Sequence, residues 1–217
     1  RNYAEALSRD GYEVRSYGSR AEAEKAFAAE LPDMAILDIM LEDEREGGFE
    51  LCRFLRAKSA VLPIIFLTAL TSDVDRVSGL RLGATDYLFK NMTTLEFLSV
   101  RVRSFFNMID AWKKPVDTEK RLKVGRLTVD EDRMEVTWDG RSVSLTLTEY
   151  WILHELVKRP GNPKNHSQLM VAAQTVVTDN AIAAYIRRIR DKFREIDPEF
   201  SYIKTAYGMG YRWVDTG

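Results

Sequence analysis

Hydrophobic and polar positions alternate in two different ways along this chain. Over residues 1–114, apolar runs of strand length are separated by segments of helical period. An amphipathic opening, "NYAEALSRDGY", leads into "EVRSY", which reads as a short strand. "SRAEAEKAFAAE" follows as a helix that Ser19 is placed to cap. "MAILD" reads as a strand, "GFELCRFLRAKS" as a helix, "LPIIFLTA" as a strand and "SDVDRVSGLRLGA" as a helix. "DYLF" and the long "TTLEFLSVRVRSFFNMIDAW" close the series. Apolar strands alternating with helices predict an α/β domain, a doubly wound parallel sheet covered on both faces and joined by right-handed crossovers. Such a domain ordinarily begins on a strand, and this sequence begins on a helix. A first strand, with whatever it carries, is expected to lie outside the sequence.

The pattern changes after "DAWKKPVDTEKR", a charged, proline-containing stretch with little periodicity that reads as a linker. "KVGRLTVDEDRMEVTWDGRSVSLT" then alternates like half-buried strands, and Asp139-Gly140 between two such segments is a strong hairpin signal. Three helical segments follow: "TEYWILHELVKRP", "NHSQLMVAA" and "DNAIAAYIRRIRDKFREI". "FSYIKTAYGMGYRWV" ends the chain as two short strands around a Gly-x-Gly turn. A small sheet, three helices and a terminal hairpin describe an α+β winged helix-turn-helix. The expected division is a first domain over 1–112, a linker over 113–121 and the winged helix over 122–217.

Composition narrows the function classes. The chain has 217 residues and a net charge of −1, so it does not coat nucleic acid by bulk charge. No apolar run approaches the roughly 20 residues of a membrane span, so no membrane partner is expected. The single cysteine, Cys52, excludes an internal disulfide framework and suits the reducing cytoplasm, where it reads as a small hydrophobe. His154 and His166 lack neighbours that would make a metal site.

Two stretches carry chemistry. "DMAILDI" places Asp38 at the end of a buried strand, and an unpartnered buried carboxylate costs on the order of several kcal/mol. Asp38 must therefore meet water at the strand end or be held by a cation. In the last long helix, Ile182, Ile186, Ile189 and Phe193 form the buried stripe. The opposite face presents Asn180, Ala183, Ala184, Arg187, Arg188 and Asp191. Small residues followed by arginines let a helix enter a major groove while guanidinium groups reach phosphates or guanine edges.

Over nearly its whole length the chain resembles two-component response regulators of the OmpR/PhoB class. These have a flavodoxin-like receiver domain followed by a winged-helix DNA-binding domain. The resemblance rests on "DMAILDI", "PIIFLTA", "GLRLGATDYLFK", "LTLTEYWILHEL", "IAAYIRRIRDKF" and "TAYGMGYRW" in that order. "GGFELCRFLR", "VVTDN" and "YGMGYRW" are most similar to regulators of the proteobacterial dedicated-sortase or Vibrio envelope-stress kind.

The resemblance implies that Asp38 is the phosphoacceptor for a sensor histidine kinase, with Mg2+ as cofactor. It further implies that Thr68 is the hydroxyl that turns toward the phosphoryl group, Lys90 its ammonium partner and Tyr87 the aromatic switch. Of the metal ligands, only Asp38 and the Met40 carbonyl match; the usual acidic pair belongs after the missing strand, so Mg2+ binding should be weak here. Receivers of this class pair through one face, which implies a homodimer in which Asp86 and Arg101 cross the interface beside Arg76 and Arg81. In the second domain Asn180, Ala183, Ala184 and Arg187 match base or groove contacts with promoter DNA. Arg188 and Thr205 match phosphate contacts, Tyr207 and Met209 fall in the wing, and "VAAQTVVT" matches the segment that touches RNA polymerase.

Four departures stand out. Asn91 replaces the usual proline after the lysine, so a cis bond is not expected there. Phe97 stands where an acid is common, and Tyr207 where an arginine is common. The loop "LEDEREGG" is long and acidic. An α/β phosphatase or dehalogenase also uses a strand-end aspartate, but places a second acid two residues later, where this chain has Met40, so no enzyme activity is expected. The competing reading within the class is a regulator that dimerises and binds DNA without phosphorylation.

Overall fold

The computed structural model describes residues 2–41, 44–113, 121–173 and 179–214. The chain divides into two compact units, Arg1–Ile109 and Asp110–Gly217.

In the first unit the helices are α1 (Asn2–Arg9), α2 (Arg20–Ala29), α3 (Gly47–Lys58), α4 (Asp73–Arg81) and α5 (Leu95–Lys113). The strands β1 (Ala35–Leu37), β2 (Ile64–Thr68) and β3 (Asp86–Phe89) form a parallel sheet in that order. All five residues of the central β2 are buried, as its unbroken apolar run requires. Leu37 pairs with Phe66 and Phe66 with Tyr87, so the carboxyl ends of the three strands lie side by side. Ser19 caps α2 by accepting from the Glu22 N–H, as expected.

The expected strand "EVRSY" does not form. Residues 13–17 join no ladder among the described residues. With the free edge of β1 they line a groove of about 660 Å³. Strand propensity is expressed only where a neighbour supplies the hydrogen bonds, and none does so for residues 13–17 among the described residues. The helix α5 ends at Lys113, one residue beyond the expected helical segment and inside the stretch that reads as a linker.

In the second unit β4 (Arg121–Val124), β5 (Leu127–Asp130), β6 (Glu135–Trp138) and β7 (Arg141–Ser142) form an antiparallel sheet in chain order. Asp139 and Gly140 both take positive φ (48° and 74°), the two-residue hairpin that the sequence signals. Then come α6 (Leu147–Val157), α7 (His166–Ala172), α8 (Asp179–Arg194) and the hairpin of β8 (Ile203–Ala206) with β9 (Gly210–Trp213). Helix α6 starts a residue before the expected Thr148, because Thr146 and Glu149 close a capping box around its first turn. Trp138, Phe193, Phe200 and Trp213 pack edge to face and stacked in the core. Gly210 must be glycine: its φ is +104°, and a Cβ there would lie 2.1 Å from the Lys164 carbonyl oxygen. That close approach bonds the wing to the start of α7, with Lys164 and Tyr211 each donating to the other's carbonyl.

Candidate phosphorylation site and nucleic-acid interface

Asp38 follows β1 immediately, at the carboxyl edge of the sheet. The Lys90 ammonium donates to its Oδ2 at 2.5 Å, and the Met40 N–H lies 3.4 Å from its Oδ1. The carboxylate is thus both held by a cation and partly open to water. The start of α3 packs against its main chain: the Gly48 N–H donates to the Ile39 carbonyl, and a Cβ on Gly48 would sit 1.9 Å from the Asp38 carbonyl oxygen. Only glycine fits there.

Thr68, fully buried at the end of β2, accepts from the Leu70 N–H through its hydroxyl. The Lys90 N–H donates to the Thr68 carbonyl at 2.8 Å, which fastens the end of β3 to the end of β2. Tyr87 is turned inward and buried, and its hydroxyl donates to the Leu70 carbonyl. Burial, then the nearby Asp75 carboxylate, push its phenol above the usual range. The four residues named from the sequence therefore share one edge of the sheet, with Thr68 and Tyr87 joined through Leu70.

Leu41 and Glu44 bridge to each other, and Glu44 accepts from Arg20, which also pairs with Glu24. No cluster of three or more metal-ligating side chains occurs among the described residues. Of the expected ligands, Asp38 is engaged by Lys90.

The expected interface pair behaves differently. Asp86 is completely buried, and Arg101 of the same chain donates to it while lying over the Phe105 ring. The Tyr87 N–H donates to the other Asp86 oxygen. In this single chain the pair is made within one protomer, and both members are buried. Arg76 lies over the Phe89 ring, and Arg81 is exposed. Two exposed apolar side chains of α5, Phe97 and Val100, stand close to Arg101 in sequence.

In the second unit the stripe Ile182, Ile186, Ile189 and Phe193 is fully buried. On the opposite face Ala183 is exposed, Ala184 half-buried, and the Arg187 side chain is 80% exposed with only a loose approach to Asp191 at 3.8 Å. The Asn180 side chain lies outside the described residues, as do residues 174–178 of the segment expected to touch polymerase. Arg188 does not reach outward as expected. Its Nε donates to Glu149 at 2.8 Å, its guanidinium covers the Tyr185 ring, and only 18% of the side chain is exposed. Lys192 pairs with the same carboxylate at 2.5 Å. Burial pushes the Glu149 carboxyl up, but Lys192 and Arg188 outweigh it and hold it below the usual carboxylate range.

Thr205 is exposed, and its hydroxyl accepts from Arg190, which also donates to the Ile203 carbonyl. The wing turn projects Tyr207, 93% exposed, and Met209. Sequence reasoning missed three groups. Glu149 anchors α8 on α6, and the only local pattern around it, Thr146-x-x-Glu149, is that of a capping box. Arg190 fastens α8 to the wing. Lys204 and Arg212 face each other across β8 and β9, both exposed, a like-charge pair that a polyanion would relieve. His154 is buried against Glu131 and His166 stacks on Tyr211, so both serve packing.

Comparison with known proteins agrees with this arrangement. Residues 1–101 match the response regulator receiver domain, and residues 140–213 match the C-terminal domain of transcriptional regulatory proteins. The transcriptional regulatory protein CreB of Escherichia coli K12 is 33% identical over 209 residues, spanning 94% of this chain and 88% of the relative. The chain is a response regulator of the OmpR/PhoB family.

BaeR of E. coli O6:H1 is 34% identical to the regulator over 185 residues, 84% of this chain and 74% of the relative. A structure of a RitR mutant superposes with a TM-score of 0.73 at 22% identity, covering 99% of this chain and 93% of that one, a likeness of fold. As a family member the regulator has a receiver that answers a sensor kinase and a C-terminal domain that binds promoter DNA. It is not an enzyme by this relationship. Receiver domains bind Mg2+ for phosphorylation. No helix among the described residues is long and apolar enough to cross a membrane.

Proposed function

We propose that the regulator accepts a phosphoryl group on Asp38 from a phosphohistidine of a sensor kinase. The Asp38 carboxylate attacks phosphorus, the N–P bond breaks, and an acyl phosphate forms while the histidine leaves. The observation that carries this reading is the Lys90 ammonium 2.5 Å from Asp38, on a sheet edge shared with the Thr68 hydroxyl. Lys90 is positioned to meet the charge of about −1.5 to −2 that phosphorylation adds. The buried Tyr87 occupies the position of the aromatic switch, bonded to the loop that follows Thr68.

The same reading makes the active species a homodimer formed through α4, β3 and α5 in the cytoplasm. Its winged helices read promoter DNA with Asn180, Ala183, Ala184 and Arg187. Thr205 and the cations of the wing meet phosphates, Tyr207 lies toward the minor groove, and the segment before α8 meets RNA polymerase. Mg2+ would require ligands beyond Asp38 and Met40. The narrower likeness to dedicated-sortase and Vibrio envelope-stress regulators rests on three motifs and is proposed on that ground. The alternative is a regulator that dimerises and binds DNA without phosphorylation.

Incubating the full-length regulator with acetyl phosphate and Mg2+ tests the choice. An acid-labile adduct with the mass of one phosphoryl group that is absent from Asp38→Ala, together with dimerisation and tighter promoter binding, supports the switch. Dimerisation and DNA binding with no adduct would establish the alternative.

A further inference from the structure

Lys90 reaches Asp38 from a turn that has little to hold it. Residues 90–92 leave β3 through backbone bonds from Lys90 to Thr68 and from Met92 to Phe89. Asn91 stands in the turn, and no cis peptide occurs among the described residues. The carbonyls of Lys90 and Thr93 receive no main-chain donor among the described residues.

A side chain from far away in sequence supplies one. Tyr3, on the first turn of α1, places its hydroxyl 3.1 Å from the Thr93 carbonyl and 3.4 Å from the Lys90 carbonyl. One phenolic O–H donates to Thr93 and has the Lys90 carbonyl within reach. The helix that bears Tyr3 is itself fixed: Leu7 is buried, and Tyr12 just beyond α1 stacks on Phe106 of α5 at 5.2 Å. Thr93 is buried, and the Thr94 hydroxyl accepts from the Phe97 N–H to start α5. The turn is thus held between α1 and α5, with the Tyr3 hydroxyl as its polar tie to α1.

We propose that Tyr3 is a positioning residue for phosphorylation. Its hydroxyl fixes the 90–93 turn and so sets where the Lys90 ammonium meets Asp38 and the incoming phosphoryl group. This inference rests on the role proposed above for Asp38 and Lys90.

Tyr3→Phe removes the O–H and keeps the ring, and a neutral hydrogen bond is worth about 0.5–1.5 kcal/mol, or roughly a two- to tenfold change. In the full-length regulator, Tyr3→Phe should slow Asp38 phosphorylation by acetyl phosphate by about that factor and speed amide exchange at Met92 to a similar degree. In a Lys90→Ala background the same substitution should change the phosphorylation rate no further, because its effect passes through Lys90. An effect equally large without Lys90 would mark Tyr3 as merely structural and overturn the proposal. So would unchanged rate and exchange in Tyr3→Phe. If wild type takes no phosphoryl group, the Asp38 reading fails, and amide exchange at Met92 still decides whether Tyr3 holds the turn. Tyr3→Leu serves for the exchange measurement should Tyr3→Phe fold poorly.

Discussion

Asp38 in the receiver and Glu149 in the winged helix each face a lysine ammonium at 2.5 Å, yet 27% of the Asp38 side chain is exposed and 1% of Glu149. The difference in burial separates a pair that can be rearranged from one that cannot. A partly exposed ion pair is worth at most about 1 kcal/mol, so a phosphoryl group can redirect Lys90 at small cost. Removing one member of a buried pair leaves an uncompensated charge and costs about 3–5 kcal/mol. The receiver therefore keeps its charges adjustable at the sheet edge, whereas the winged helix uses the same chemistry to lock α8 against α6. The Asp86–Arg101 pair shows that the receiver also uses the second device, deep under the face proposed for dimerisation.

The largest effect should come from breaking the buried pair. Glu149→Ala also removes the capping-box carboxylate, and it should destabilise the second unit by about 3–5 kcal/mol in urea unfolding. Lys90→Ala should cost under about 1 kcal/mol in the same assay. Equal losses would erase the distinction between the two pairs.

Next come the neighbouring arginines of α8. Arg187→Ala should weaken promoter binding by about 1–3 kcal/mol with little change in stability. Arg188→Ala should act through loss of stability, because its guanidinium holds Glu149. A steeper loss of DNA affinity in stable Arg188→Ala than in Arg187→Ala would mean that Arg188 swings outward on DNA.

The smallest effect is on pH dependence. Glu149 is held low, so its stabilisation is complete above the usual carboxylate value of about 4.3 and is lost as pH falls through the depressed value. Burial, opposed by the hydrogen bond to Glu131, holds the His154 ring below its usual value, so its contribution is present above about 6.5 and declines as pH falls below that. Melting of the second unit between about pH 7 and 5 should therefore show a shallow decline that His154→Gln flattens, with a steeper acid limb that it leaves in place.

Much of this was legible in the residues. The apolar run into Thr68 specified the central strand, Asp139-Gly140 specified its hairpin, and the Ile182 to Phe193 spacing specified which face of α8 is buried. Each depends on local backbone preference or on periodicity, which neighbours in the chain suffice to set. "EVRSY" joins no ladder among the described residues, because pairing depends on an edge elsewhere in the chain. Arg187 and Arg188 are indistinguishable in sequence, yet adjacent helical positions point about 100° apart, and Glu149 captures the one that turns inward.

Residue order alone was enough for two units of different architecture, the family to which they belong and the strand-end aspartate as the residue to explain. Which charges are engaged was settled by packing. It closed Asp86 on Arg101, turned Arg188 to Glu149 and brought Tyr3 across some ninety positions to the turn of Lys90. The physical reason is one of range. Periodicity and turn chemistry act over a few residues, whereas the partner of a buried charge or an orphan carbonyl is fixed by whichever side chain the fold carries to it.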